Sequence, residues 1–323
     1  DIKGGTVQNF AGDPPAPIAG QVWYDSTAVA FQFYTSIPGG SWASGGNLNQ
    51  ARYNNAGSGT QTATLCTGGQ KAPSTTRTAE NESYNGSTWT EVGDLNTARR
   101  QLRSTGSSTA SIAFGGETST AAAVAIAESW NGTSWTEVGD LNTTRFNHGS
   151  SGANNTAALC FAGQNPDKVA VAESWNGSAW TEVADLNVAK SDLGSAGSAT
   201  SALAFAGYID ASVDTNESWN GTAWTEVADL NTARADPGGA GADSTSALAF
   251  GGEAPGYQAT TESWDGSAWT EVADLSAARA FTQGAGASNA SAITFGGYHP
   301  SGTKNTTEEW DAPRVSTETI TTS

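Results

Sequence analysis

A fifteen-residue phrase, repeated along the chain, constrains this protein more than any other feature. Glu128-Ser-Trp-Asn-Gly-Thr-Ser-Trp-Thr-Glu-Val-Gly-Asp-Leu-Asn142 recurs over 173–187, 217–231 and 262–276, and over 82–96 with Tyr84 in the first aromatic place. The second tryptophan of the phrase falls at Trp42, Trp89, Trp135, Trp180, Trp224 and Trp269, a period of 44 to 47 residues. Eleven of the 12 tryptophans occupy repeat positions, Trp23 being the exception. Such a period means that one small structural unit is stacked many times.

Each unit reads as four short strands. A basic residue (Arg99, Arg145, Lys190, Arg234 or Arg279) precedes a stretch of small residues such as 193–197. A polar turn follows, then an apolar run ending in a small pair, as in Ala247-Leu-Ala-Phe-Gly-Gly252. After a loop of variable length come Glu-Ser-Trp and Trp-Thr-Glu-Val, joined by Asn-Gly. Asn-Gly predicts a hairpin with a type I′ turn, whose two central residues need φ > 0. No segment carries a 3.6-residue apolar period, so no helices are expected.

Four strands per 45 residues or so, with Gly-Gly and paired aromatics, are the signature of propeller blades. The pattern resembles the kelch repeat family in its apolar run ending in Gly-Gly, its Tyr-Asp-like pair and its following Trp. The Gly-Gly pairs are 68–69, 115–116, 251–252 and 296–297, with Ala-Gly at 162–163 and 206–207. Trp replaces Tyr in most units, and the second Trp is five residues on rather than six. Second strands number six, ending at Gly69, Gly116, Gly163, Gly207, Gly252 and Gly297. The expected fold is therefore all-β, a six-bladed β-propeller of four-stranded kelch-like blades. Thr307-Glu-Glu-Trp-Asp311 and 40–49 would complete the sixth blade from the two ends of the chain, removing two open sheet edges. A seven-bladed ring is the alternative, with Phe31-Gln-Phe-Tyr34 displacing or flanking the C-terminal strand. The domain reading is an arm or linker over 1–19, the propeller over 20–311 with 20–39 as an extra β-hairpin, and a tail over 312–323.

The repeated residues have structural explanations. The tryptophans are expected between blades, and each Arg or Lys is expected to pair with a repeat acid equivalent to Glu82 or Asp94. Cys66 and Cys160 occupy the same slot of two units, so they are expected to be small buried thiols, free of one another. Asn-x-Ser/Thr sequons follow from the Asn-Gly-Ser/Thr turns.

Chemistry is scarce. His148 and His299 are the only histidines, lie in different units, and are expected at the surface without metal-ligand spacing. No Gly-x-Ser-x-Gly elbow or phosphate loop occurs. The reading is of a non-enzymatic chain with no cofactor and no metal. With 32 acidic residues against 14 basic ones, the net charge of −18 argues against nucleic acid and anionic lipid as partners. No apolar run reaches the length of a membrane span. The absence of Met points to a processed product or to part of something longer.

What does not repeat is the functional signal. The loops between second and third strands differ in length and sequence: 70–77, 117–125, 164–169, 208–215, 253–259 and 298–305. A rigid scaffold that presents variable loops is a common way to build a binding surface. The candidate ligand-binding residues are Tyr208, Tyr257, Tyr298, His299 and Lys168.

Residues 17–42 (Pro17-Ile-Ala-Gly-Gln-Val-Trp-Tyr-Asp-Ser-Thr27, Phe31-Gln-Phe-Tyr34, Gly40-Ser-Trp42) resemble a short module common in bacteriophage tail-fibre and virion structural proteins. The near-identical Asn-, Thr- and Gly-rich kelch-like repeats are similar to those of phage and environmental viral proteins. The resemblance implies a structural or binding module of a virion or extracellular appendage. Its partner would be a host-surface glycan or a neighbouring subunit, within a homo-oligomeric or larger assembly. The alternatives are a secreted glycan-active hydrolase on a propeller, which should bring acids outside the repeat slots together on one face, and a self-assembling surface fibre subunit.

Overall fold

The computed structural model describes residues 7–12, 14, 21–37, 40–72, 76–312 and 314–320. Every regular element among them is a strand. The chain divides into two compact units, Trp42–Trp310 and Asp1–Ser41 with Asp311–Ser323.

The larger unit is a series of four-stranded antiparallel sheets, consistent with a propeller. The first sheet contains Ala56–Thr60, Ala63–Thr67, Asn81–Tyr84 and Trp89–Val92, in that spatial order. The second contains Arg103–Ser107, Ala110–Phe114, Ala127–Trp130 and Trp135–Glu137, again in chain order. The third (149–183), fourth (194–227) and fifth (238–272) repeat the plan. The sheet that begins with Gln283–Ser288 and Ser291–Phe295 takes Thr307–Asp311 as its third strand and Ser41–Ser44, from the other end of the chain, as its fourth.

In every unit the second strand is nearly all buried, as the apolar run Ala-Leu-Ala-Phe requires. The two aromatics of the phrase face each other across the hairpin, Trp175 against Trp180 and Trp264 against Trp269 in register. The second Trp packs edge-on against the Phe that ends the second strand of the preceding sheet. Phe114–Trp180, Phe161–Trp224 and Phe205–Trp269 have ring centroids 4.8, 4.8 and 5.2 Å apart. Phe250–Trp42 repeats the contact at 5.1 Å and Phe295–Trp89 at 4.9 Å, so the last sheet packs on the first.

A buried ion pair ties five of the six sheets internally. Arg99 Nη2 lies 2.8 Å from Glu128 Oε1, and both side chains are fully buried. The pairs Arg52–Glu82, Arg145–Glu173, Arg234–Glu262 and Arg279–Glu308 occupy the same slot. The Arg partner is therefore the Glu82 equivalent. The Asp94 equivalents accept a backbone N–H instead, as Asp140 does from Ala127 at 3.2 Å. The second oxygen of the Glu accepts from the residue that ends the phrase of the preceding unit, as when Asn96 N and Nδ2 donate to Glu128 Oε2 at 2.6 and 2.8 Å, with Ser276 N in that role for Glu308.

Three expectations need correction. The Asn-Gly turns are four-residue loops rather than type I′ turns. Gly86 has φ +90°, whereas Asn85 keeps negative φ and its Oδ1 accepts from Ser87 N and Thr88 N at 3.0 and 2.9 Å. That Asx turn satisfies the loop amides through a side chain, so only the glycine needs a positive φ. His148 is fully buried, not at the surface. It stacks on Phe114 with ring centroids 5.4 Å apart, and burial lowers its pKa to about 3, which keeps the imidazole neutral. Phe31–Tyr34 joins neither the last sheet nor its C-terminal strand.

Phe31–Tyr34 belongs instead to the smaller unit, a sheet in which Gln8–Phe10 pairs parallel with Val22–Asp25, and Val22–Asp25 pairs antiparallel with Ala30–Ile37. Arg314–Thr319, within the segment read as a tail, pairs antiparallel with Ala30–Ile37. The rest of the arm over 1–19 and the last residues of the tail lie outside the described residues. Cys66 and Cys160 are buried free thiols, and burial pushes both pKa values up to about 12.

Candidate functional site

The site begins at the residue two beyond each repeat base. Asn54, Gln101, Asn147, Asp192, Asp236 and Phe281 all have φ between 51° and 56°. This left-handed conformation costs most residues energy, and short polar side chains bear it best. It aims each amide at the preceding unit: Gln101 N donates to Asn54 O at 2.8 Å, Asn147 to Gln101 at 3.1 Å, Asp192 to Asn147 at 2.9 Å and Asp236 to Asp192 at 2.7 Å. Asn54 N donates to Phe281 O at 3.1 Å, linking the first unit to the last. Six side chains from six units are thereby gathered beside the variable loops.

Two of the six are acids from adjacent units. Their backbones join where Asp236 N donates to Asp192 O, and both residues line the same cavity. Burial and the neighbouring Asp192 raise the pKa of Asp236 well above the usual carboxylate range, and burial raises that of Asp192. Arg103 supplies positive charge nearby. It is 7% exposed, and donates from Nε to His148 O at 2.8 Å and from Nη2 to Leu193 O at 3.3 Å, spanning two neighbouring sheets. The corresponding positions are Ala56, Gly149, Gly194, Gly238 and Gln283, and the small ones leave room for this one long side chain.

Each variable loop is anchored by a short bridge to the residue before the left-handed one. The bridges are Arg100↔Glu117, Phe146↔Gln164, Ser191↔Tyr208, Ala235↔Glu253 and Ala280↔Tyr298. Between the fourth and fifth units this leaves a cavity of about 330 Å³, lined by Asp192, Tyr208, Ser212, Asp236, Glu253 and Pro255 among others. Glu253 takes part in no ion pair among the described residues.

The structure places the five sequence-derived candidates on four successive loops in two groups, Lys168 with Tyr208 and Tyr257 with Tyr298 and His299. Lys168 Nζ sits 4.9 Å from the centroid of the Tyr208 ring, a cation–π contact, and Tyr208 borders the cavity. The loop carrying Glu253 and Pro255 continues to Tyr257, which packs on Tyr298 at 5.9 Å and on His299 at 5.8 Å. Tyr298 also touches Tyr53 at 5.5 Å. Only Tyr208 is strongly exposed, at 39%, and Tyr257 and Tyr298 are half-buried against each other. Arg103, Asp192 and Asp236 escape a loop-based reading because they lie on the repeat framework. The available signal was their departure from Asn, Gln, Gly or Ala in equivalent slots.

The Asp pair makes a pH prediction. The folded protein keeps a proton that the unfolded chain releases near pH 4, so the folded state binds more protons above that pH. This contribution reduces stability as pH rises from about 4 until Asp236 ionises in the folded state. Asp236→Asn, which copies the amide found at Asn54 and Asn147, should raise stability at pH 7 by on the order of 1 kcal/mol and flatten the slope above pH 5. Thermal melts between pH 5 and 8 measure this, and equal slopes in parent and variant would contradict a raised Asp236 pKa.

Comparison of the chain with models of known protein families and with curated proteins finds no match.

Proposed function

We propose that the four-stranded sheets form a closed, six-bladed, kelch-like propeller, and that the protein is a non-enzymatic binding module of a virion or extracellular appendage. Closure is supported by the Phe295–Trp89 contact and the Asn54–Phe281 hydrogen bond, both joining the last unit to the first. It is also supported by a cavity of about 220 Å³ lined by first-strand residues of all six sheets, among them Ser58, Thr105, Ser151, Ala196, Ala240 and Ala285. Assignment to an appendage rests on the resemblance of residues 17–42 and of the repeats to phage proteins.

The observation that carries the functional reading is the pair Lys168–Tyr208 and the cluster Tyr257–Tyr298–His299, on four successive variable loops, with a cavity bordered by Tyr208 and by the loop that carries Tyr257. Aromatic faces with adjacent polar groups suit a surface glycan or a protein subunit. Three acids line the cavity, but Asp192 and Asp236 occupy the repeat slot of Asn54 and Asn147, and only Glu253 comes from a variable loop. Asp192 and Asp236 also sit close enough that Asp192 helps hold the Asp236 carboxyl well above the usual carboxylate range. Glycoside hydrolysis needs its two carboxyls about 5 Å apart or more, to flank a glycosidic bond.

The test replaces Tyr208, Tyr257 and Tyr298 together with Ala and measures attachment to a glycan array and to cells. Attachment should fall at least ~10-fold. A triple Phe variant, which keeps the stacking of Tyr257 on Tyr298, controls for stability and should melt within about 1 kcal/mol of the parent. Undiminished attachment by the Ala variant would overturn the loop-face reading.

A further inference from the structure

The repeat allows the chain to be compared with itself. Between the first and second units, Glu117 accepts two guanidinium groups. Arg100 Nη2 lies 3.0 Å from Glu117 Oε2, and Arg77 Nη2 lies 2.5 Å from Glu117 Oε1. Arg100 also reaches back to Gln70 of the preceding loop. The bridges fix which residues correspond between the fourth and fifth units. Arg100 pairs with Glu117 as Ala235 pairs with Glu253, and Arg77 pairs with Gln70 as Ser212 pairs with Tyr208. Glu253 thus occupies the slot of Glu117, while both of its cations have been reduced to small side chains. Ser212 Oγ donates only to the backbone oxygen of Glu253, at 3.1 Å. What replaces the arginines is the cavity lined by Ser212, Ala235 and Glu253.

We propose that this cavity binds an alkyl guanidinium group supplied from outside the propeller, such as an arginine side chain. The carboxylate of Glu253 would take the fork as Glu117 takes Arg100, because a planar guanidinium matches a carboxylate in two-point geometry. Tyr208, in the place of Gln70, offers an aromatic face on which the group can stack. The charged groups facing the cavity are Asp192, Asp236 and Glu253, with Lys168 above Tyr208 and Arg103 beneath the Asp pair. With the Asp236 pKa raised, Asp192 and Glu253 balance Lys168 and Arg103 overall, so the draw on a ligand cation is the local one of Glu253, which has no ion-pair partner among the described residues. In the first and third units the slot is filled by Tyr53 and Phe146, whereas Ser191 and Ala280 are as small as Ala235 but pair with Tyr208 and Tyr298 rather than with a carboxylate. The inference names the ligand chemistry of the loop face and rests on reading that face as a binding surface.

The probes are butylguanidine, N-acetyl-arginine methylamide and butylamine, titrated into the whole chain and followed by NMR or calorimetry. Both guanidines should saturate with a Kd of about 0.1–10 mM, and butylamine should bind several-fold more weakly. Tighter binding of the arginine amide than of butylguanidine assigns the source to a peptide, and equal binding assigns it to a free small guanidine. Two variants locate the site. Glu253→Gln should weaken binding about 10-fold. Ala235→Arg should fill the cavity with an internal guanidinium, abolish binding and leave the melting midpoint equal or higher. Failure of the parent to saturate by about 50 mM, or equal binding in both variants, would overturn the proposal. If the triple Tyr→Ala variant loses attachment while guanidines fail to bind, this inference alone falls. If guanidines bind as described but the triple variant attaches normally, the loop-face reading falls instead.

Discussion

A chain ending at Asn305 should aggregate, or melt with the loss of at least ~5 kcal/mol, because Thr307–Asp311 is an interior strand of the last sheet. Its removal takes away Trp310, which is fully buried against Ala240, Leu248, Phe250 and Ala292. It also leaves Arg279, 2% exposed, without Glu308, and Trp89 Nε1 without the Thr307 hydroxyl at 3.0 Å. A buried Trp→Ala alone costs about 3–5 kcal/mol, and a buried charge stripped of its partner costs a similar amount. Together these approach the whole stability of an ordinary domain, roughly 5–15 kcal/mol. Truncation also opens the edge of Ser291–Phe295, a site for pairing with other chains. Because the cut removes Arg314–Thr319 too, the control ends at Asp311 and keeps the interior strand. That control should stay soluble with the larger unit's midpoint nearly unchanged. Gel filtration and thermal melts separate these outcomes, and a soluble chain ending at Asn305 with the parental midpoint would show that the strand does not hold the sheet together.

Glu173→Ala should cost about 3–5 kcal/mol, measured by urea denaturation. Glu173 and Arg145 are both fully buried, and the loss leaves a guanidinium in the interior without its anion. It also frees Asn142, whose N and Nδ2 donate to Glu173 Oε2 at 2.7 and 2.8 Å and so tie the preceding unit. The fourth unit supplies the converse case. Lys190 stands there in place of Arg, and its Nζ donates to Ala204 O and Thr215 O at 3.2 and 3.1 Å rather than to Glu217. Glu217 Oε1 is left buried without a partner, and burial lowers the Lys190 pKa to about 8. Lys190→Arg, restoring the fork of the other five units, should therefore stabilise by about 1 kcal/mol. A variant no more stable than the parent would mean that Lys190 and Glu217 already interact as well as an Arg pair does.

Much of the strand framework was legible because the repeat turns one observation into several. A hairpin inferred from Trp-Asn-Gly-Thr-Ser-Trp at one place is tested again at the next, and the buried Phe and Trp recur at matching slots. The turn type was misread because Asn-Gly supports more than one loop, and only the hydrogen bonds to Asn85 Oδ1 select the Asx turn. His148 was misread because its polarity hides a stacking partner 34 residues away, Phe114. Val22–Asp25 and Ala30–Ile37 do pair within the hairpin read over 20–39, but the remainder of the smaller sheet escaped because the register of Arg314–Thr319 on Ala30–Ile37 joins opposite ends of the chain without any repeated pattern.

The site divides along the same line. By itself the sequence determined the strands, the buried tryptophans, the pairing of the basic residues with an acid of the repeat, though not which acid, and the variable loops where ligand-binding candidates were sought. These properties follow from local periodicity and turn chemistry, which a repeat states several times over. Only the tertiary structure decided that Asp192 meets Asp236, that Arg103 reaches Leu193 two sheets away, and that Glu253 faces a cavity where Glu117 faces two arginines. Each is a departure from the repeat, and its meaning depends on neighbours about 40 to 90 residues away. Those distances are closed by the packing of whole sheets, where burial and charge act between residues that no local pattern joins.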